Sequence, residues 1–132
     1  MLKPLWALLL TGMLGGCAMN SETPLPVTDK EWIVSRIDDQ RPAAGSQLSL
    51  NFGSDGQLSG SASCNRYMAR YQILGNNEIR ISQAATTMMA CSEELMRQEQ
   101  HFLDALEHIN RLRIAPQGKL ILTGGQHRIL AH

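Results

Sequence analysis

Net charge is what this sequence lacks first: twelve basic residues balance twelve acidic ones over 132 positions. Without a broad cationic field the chain has no electrostatic footprint for nucleic acid, and no acidic tail takes its place. The short runs Glu93-Glu94 and Arg111 with Arg113 read as solvated faces or helix ends. Cysteine is scarce, at three, and no two stand in C-x-x-C spacing, so a dithiol redox site is not indicated. The four histidines, His101, His108, His127 and His132, form no pattern that would supply a cysteine with a base. His101 and His108 lie seven residues apart, two helical turns, too far along an axis to chelate one ion, and they read as exposed. Asp38-Asp39 and Asp55 lack the repeated oxygen-ligand spacing of a calcium loop. The expectation is therefore a non-enzymatic chain with no catalytic residue, no metal ligand and no cofactor. No internal repeat is present, the length suits one domain, and no apolar run is long enough for a permanent membrane span.

What is present begins with a leader. Lys3 gives a brief positive start, Leu5-Trp6-Ala7-Leu8-Leu9-Leu10 is the apolar segment, and Gly15-Gly16 stand directly before Cys17. Leu14-Gly15-Gly16-Cys17 resembles the bacterial lipobox, in which the cysteine sulfur takes a diacylglycerol and the chain is cleaved just before it. On that reading residues 1–16 are a lipoprotein-type signal peptide, and Cys17 carries the membrane anchor. Several acyl chains, each contributing about 0.8 kcal/mol per buried methylene, would hold it stably. By resemblance to lipoprotein sorting, Ala18 in place of an aspartate implies the outer membrane, with the domain facing the periplasm. Residues 17–29, polar and broken by Pro24 and Pro26, read as a lipidated tether, and residues 30–132 as the folded domain.

Within the domain, Glu31 to Ile37 has the β-branched and aromatic content of a strand, with Trp32 as a core anchor. Leu48, Leu50 and Phe52 alternate with polar residues, and Gly53-Ser54-Asp55-Gly56 turns the chain into Gln57 to Ser61. A second hairpin joins Tyr71 to Leu74 with Ile79 to Ile81 through Gly75-Asn76-Asn77-Glu78. From Ser92, which suits an N-cap, the period becomes helical: Leu95, Phe102, Leu106 and Ile109 fall on one face, with Met96 and Leu103 beside them. Three short strands follow, over Leu112 to Ala115, Lys119 to Thr123 and His127 to Ala131. Antiparallel strands interrupted by one amphipathic helix predict an α+β fold, mostly β: a curved antiparallel sheet or partly open barrel closed by the helix.

Between the two hairpins, Gly60-Ser61-Ala62-Ser63-Cys64-Asn65-Arg66-Tyr67 gathers the residue types of an active site, and Thr87-Met88-Met89-Ala90-Cys91 is its distant partner. With Cys17 lipidated, Cys64 and Cys91 are left to meet an oxidising compartment and form one disulfide. Such a bridge closes a loop of about 28 residues, worth on the order of 3.5 kcal/mol in the chain-entropy account. Asn65 is expected to bond its own turn and Tyr67 to pack. Glu99 lies within the apolar helical stripe and needs a partner, such as backbone N–H groups of the Cys64 loop or Arg66.

Gly60, Cys64, Asn65, Arg66 and Tyr67, followed by Thr87, Met89 and Cys91 and then by the Glu99 helix, resemble the META domain, also called the HslJ-like family. Its G-x-x-x-C-N-R-[YF] and T-x-M-x-C elements both find matches, in order, between about Trp32 and Leu130. Many members place glycine before the first cysteine, where this chain has Ser63, and a basic residue after the threonine, where it has Met88. The resemblance implies a small β-rich domain with one packed helix, a lipoprotein or secreted location, and a link to heat or envelope stress. It implies no catalytic residues. The expected function is a monomeric, non-enzymatic outer-membrane lipoprotein that binds an envelope protein or lipid partner. The other readings are a carrier holding an acyl chain or peptide, and an inhibitor of an envelope hydrolase.

Overall fold

The computed structural model describes residues 12, 15, 16, 27, 28 and 30–132. Cys17 and nearly all of the expected tether lie outside the described residues. The strands are β1 (Glu31–Ile37), β2 (Ser49–Phe52), β3 (Gln57–Ser61), β4 (Arg66–Gly75), β5 (Glu78–Ile81), β6 (Ala85–Thr86), β7 (Arg111–Ile114), β8 (Leu120–Gly124) and β9 (His127–Ala131), with one helix, α1 (Glu93–His108), between β6 and β7. Their order is β3-β2-β1-β9-β8-β7-β5-β4, and β3 pairs with β4 to close the ring. The fold is thus α+β and mostly β, an antiparallel barrel that is fully closed. Eight strands enclose an interior just wide enough for side chains to fill. Here Trp32, Leu48, Leu50, Phe52, Leu58, Leu112, Leu120, Leu122 and Ile129 are each 2 % exposed or less.

Closure depends on β4. Its first half pairs with β3, from Ser61↔Arg66 to Gln57↔Arg70, and its second half with β5, from Tyr71↔Ile81 to Gly75↔Glu78. The thinnest seam is β5–β7, with Glu78↔Arg111 in register and backbone bonds from Ile79 N to Asn110 O and from Leu112 N to Asn77 O. Helix α1 packs against β5, β8 and β9. It buries Glu99, Phe102, Ala105 and Leu106, and Ser92 caps it by accepting from Leu95 N. The two glutamates of the first turn meet the positive end of the dipole, and His108 sits in the last turn.

Packing starts ahead of Lys30. Val27 is fully buried, its carbonyl accepts the Trp32 indole N–H at 3.0 Å, and Thr28 bridges Phe52. The Gly60–Tyr67 motif does not lie between hairpins; it is itself the hairpin joining β3 to β4, closed by Ala62 N donating to Asn65 O at 2.7 Å. Among the described residues no helix is long and apolar enough to cross a membrane.

Candidate functional site

Asn65 is the centre of the motif. Its backbone N–H donates to Glu99 Oε1 at 2.7 Å and its side-chain Nδ2 to Glu99 Oε2 at 2.9 Å. A carboxylate only accepts, which fixes the orientation of the amide. Nδ2 also donates to Met89 O at 3.3 Å, while Oδ1 accepts from Met89 N at 2.6 Å and from Thr87 Oγ1 at 2.9 Å. Both amide donors and both acceptor lone pairs are thereby used. The expectation that Asn65 serves its own turn is corrected: its side chain reaches partners 22 to 34 residues away. Ser49, Asn65 and Glu99 are the buried polar residues among those described, and all three belong to this assembly.

The remaining motif residues surround that hub. Cys64 and Cys91 form the disulfide, with Cα atoms 5.9 Å apart. Thr87 Oγ1 accepts from Arg66 N at 3.1 Å, and Thr87 N donates to Arg66 O, so the segment after β6 continues the sheet. Tyr67 packs edge-on against Phe102, with centroids 5.6 Å apart, and its hydroxyl donates to Ser49 O at 2.7 Å. Burial pushes the Tyr67 phenol well above its ordinary value, and the charge of Arg66 only partly offsets this. Gly60 is required because a Cβ there would stand 2.2 Å from Ser49 O, the same carbonyl that accepts from Tyr67. Ser63 holds φ at +92°, the conformation glycine would provide, and its hydroxyl accepts from Gln98 Nε2 at 3.0 Å. Arg66 is exposed. The assembly ties the β3–β4 turn, the segment through Met89 and α1 into one clasp, with Met88 95 % exposed and Met89 60 % exposed on it.

A second cluster has almost no signature in the sequence. Asp38 Oδ2 lies 2.7 Å from both His101 Nε2 and His127 Nδ1, and Oδ1 accepts from Arg128 N at 2.7 Å. Burial raises the Asp38 carboxyl, but the bonds from His127, Arg128 N–H and His101 outweigh it and hold the group below the usual carboxylate range. His127 also approaches Asp104, and Asp104 approaches His108. His101 is therefore not simply exposed, and three of the four histidines share one patch. The one sequence signal is Gly124-Gly125 ahead of His127, the turn that carries β9 back beside α1.

Fold and site together define a small closed β-barrel capped by a helix and locked by a disulfide clasp, with the motif residues spent on internal bonds. A family model, META domain, matches residues 25–132, and the chain belongs to that family. Among solved structures, an NMR structure of a protein from Burkholderia xenovorans is 26% identical, with 80% of this chain and 81% of that one covered and a TM-score of 0.63. A second NMR structure, 18% identical with 76% and 86% covered and a TM-score of 0.60, shares the fold. No curated protein matches the chain.

Proposed function

We propose that this META domain protein is a non-enzymatic lipoprotein of the outer membrane, anchored through Cys17 and facing the periplasm, that supports heat or envelope stress tolerance by binding a partner protein. The observation that carries the reading is Met88, 95 % exposed on a segment whose neighbour Met89 is fixed by its own N–H and C=O to Asn65. An apolar, adaptable side chain held out to solvent on a rigid segment suits docking against another protein. Met68, on the outer face of β4 beside β6, is 52 % exposed and extends the apolar surface. A reaction is left out because of the clasp's chemistry: both cysteines are bridged, and Asn65, Thr87 and Glu99 hold one another. A carrier of acyl chains has less support, because core side chains fill the barrel.

The test is a photo-crosslinking amino acid placed at position 88 of the lipidated protein in heat-stressed cells. A discrete adduct at position 88 that is missing from position 119, in the β7–β8 turn, is the expected result. Adducts with abundant porins alone, equal at both positions, would overturn the reading. Retained lipid in native mass spectra of membrane-purified protein would favour the carrier instead.

A further inference from the structure

Gly124 is what brings the end of α1 against the β8–β9 turn. A Cβ at this position would stand 2.0 Å from the His108 carbonyl oxygen and 2.6 Å from Asn110 N, so the approach admits only glycine. Asn110 N then donates to Thr123 O at 2.9 Å, and His127, first in β9, is set beside Asp104 and His108 of the helix's last turns.

The two ring nitrogens of His127 face two different carboxylates. Nδ1 lies 2.7 Å from Asp38 Oδ2, and Nε2 lies 3.4 Å from Asp104 Oδ2. Because a carboxylate accepts, Nδ1 carries the hydrogen, and in the neutral ring Nε2 presents only a lone pair. That lone pair is turned toward another acceptor, and either a proton on Nε2 or a metal cation between the two completes the arrangement. His108 adds a second imidazole, with Nδ1 3.8 Å from Asp104 Oδ1 and its ring centroid 5.5 Å from that of His127.

We propose that Asp104, His108 and His127 form a binding site for a divalent transition-metal ion of the zinc class. One donor atom from each of the three residues lies within 4.8 Å of the others. Ligand atoms at about 2.0–2.1 Å from a tetrahedral zinc ion stand about 3.3 Å apart, a closure that side-chain rotation of the exposed Asp104 and His108 supplies. Two imidazoles with one carboxylate select zinc-like ions over magnesium or calcium, and three protein ligands leave one position for water or a partner's group. His108 joins by exchanging its bond to the Asp104 carbonyl for the ion. Asp38 is not a ligand. Its Oδ2 is at hydrogen-bond distance, 2.7 Å, from both His101 and His127, which leaves no room for an ion among the three. It is a positioning residue: pinned by Arg128 N and His101, it fixes the tautomer and orientation of His127, the part that carboxylates play behind zinc-bound histidines.

The experiment titrates zinc chloride calorimetrically into the full lipidated chain, purified in detergent without a histidine tag, and counts bound metal after dialysis. One zinc ion per chain is expected. Asp104→Asn and His108→Gln change side chains that are 59% and 53% exposed. Each variant should keep the zinc-free melting curve of the parent yet bind at least about tenfold more weakly. Asp38→Asn should weaken binding by about 10- to 100-fold without changing stoichiometry, and His132→Gln should bind like the parent. Stoichiometry well below one, or affinity retained when Asp104→Asn and His108→Gln are combined, would overturn the site. Parent affinity in a folded Asp38→Asn chain would overturn the positioning role.

Discussion

Asn65→Asp changes one atom of the clasp from donor to acceptor and leaves the shape intact. The new oxygen would face Glu99 Oε2, now 2.9 Å from Nδ2, and Met89 O, now 3.3 Å away, with no hydrogen between them. Glu99 is 6% exposed and Asn65 3%, so solvent screens the pair poorly. Breaking a buried charged interaction by removing one partner costs about 3–5 kcal/mol, and a second buried carboxylate puts this case at that end of the scale. Adding Glu99→Gln should rescue it, because the new amide can donate to the carboxylate introduced at position 65 while its oxygen keeps the backbone N–H there. The double variant loses only the weak bond to Met89 O and should lie within about 1–2 kcal/mol of the parent. The second change should therefore restore about 1–4 kcal/mol, measured by urea unfolding with the disulfide intact. An Asn65→Asp chain within about 1 kcal/mol of the parent, or a double variant no more stable than that single one, would refute the assignment of Asn65 as the hub.

Three further outcomes follow from the same assembly. Gly60→Ala must push Ser49 O away and should cost about 1–3 kcal/mol or more in thermal or urea unfolding. Ser63→Gly trades relief of a left-handed φ against the Gln98 bond and should stay within about 1 kcal/mol, whereas Ser63→Val, with neither advantage, should cost more than about 2 kcal/mol. Tyr67 has its phenol pKa raised by burial, so its contribution to stability is complete below the unfolded value of about 10 and is lost as pH rises beyond it. Urea unfolding from about pH 9 to about pH 11 should show a steeper alkaline loss in the parent than in Tyr67→Phe, and equal slopes would refute it.

Local pattern makes most of the barrel legible. Alternation at Leu48, Leu50 and Phe52, the glycine and asparagine turns, and the helical stripe from Leu95 to Ile109 each depend on near neighbours in sequence. The strand of two residues, β6, carries no such period and exists because Tyr67 and Met68 offer it an edge. β4 is legible only from Tyr71, because Cys64-Asn65-Arg66-Tyr67 has the residue types of a loop; yet Arg66 and Tyr67 alternate exposed and buried like any strand. The role of Asn65 is hidden for the opposite reason, since its local turn is made by its carbonyl and its side chain works at long range. His127 shows no spacing to His101 or His108 because barrel closure, not helical period, brings it to them.

One relation links the two halves of the molecule. Residues that look chemical in sequence, Cys64, Asn65, Thr87 and Glu99, are consumed in fixing backbone, and the groups they free for contact are side chains that look inert. Met88 illustrates this. Its flanking residues are tied by hydrogen bonds to Asn65 and Arg66, so a partner that covers Met88 need not order the segment first. Ordering a rotamer-rich contact segment costs about 0.5–1.5 kcal/mol per immobilised side chain, and the clasp removes the backbone share of that cost before any encounter. On the proposed reading the clasp should therefore matter to partner affinity as well as to fold. Glu99→Gln, which loosens the hub without touching the surface, should then reduce the position-88 adduct in cells even at temperatures where the chain stays folded. An undiminished adduct would mean that the methionine surface works without its rigid support.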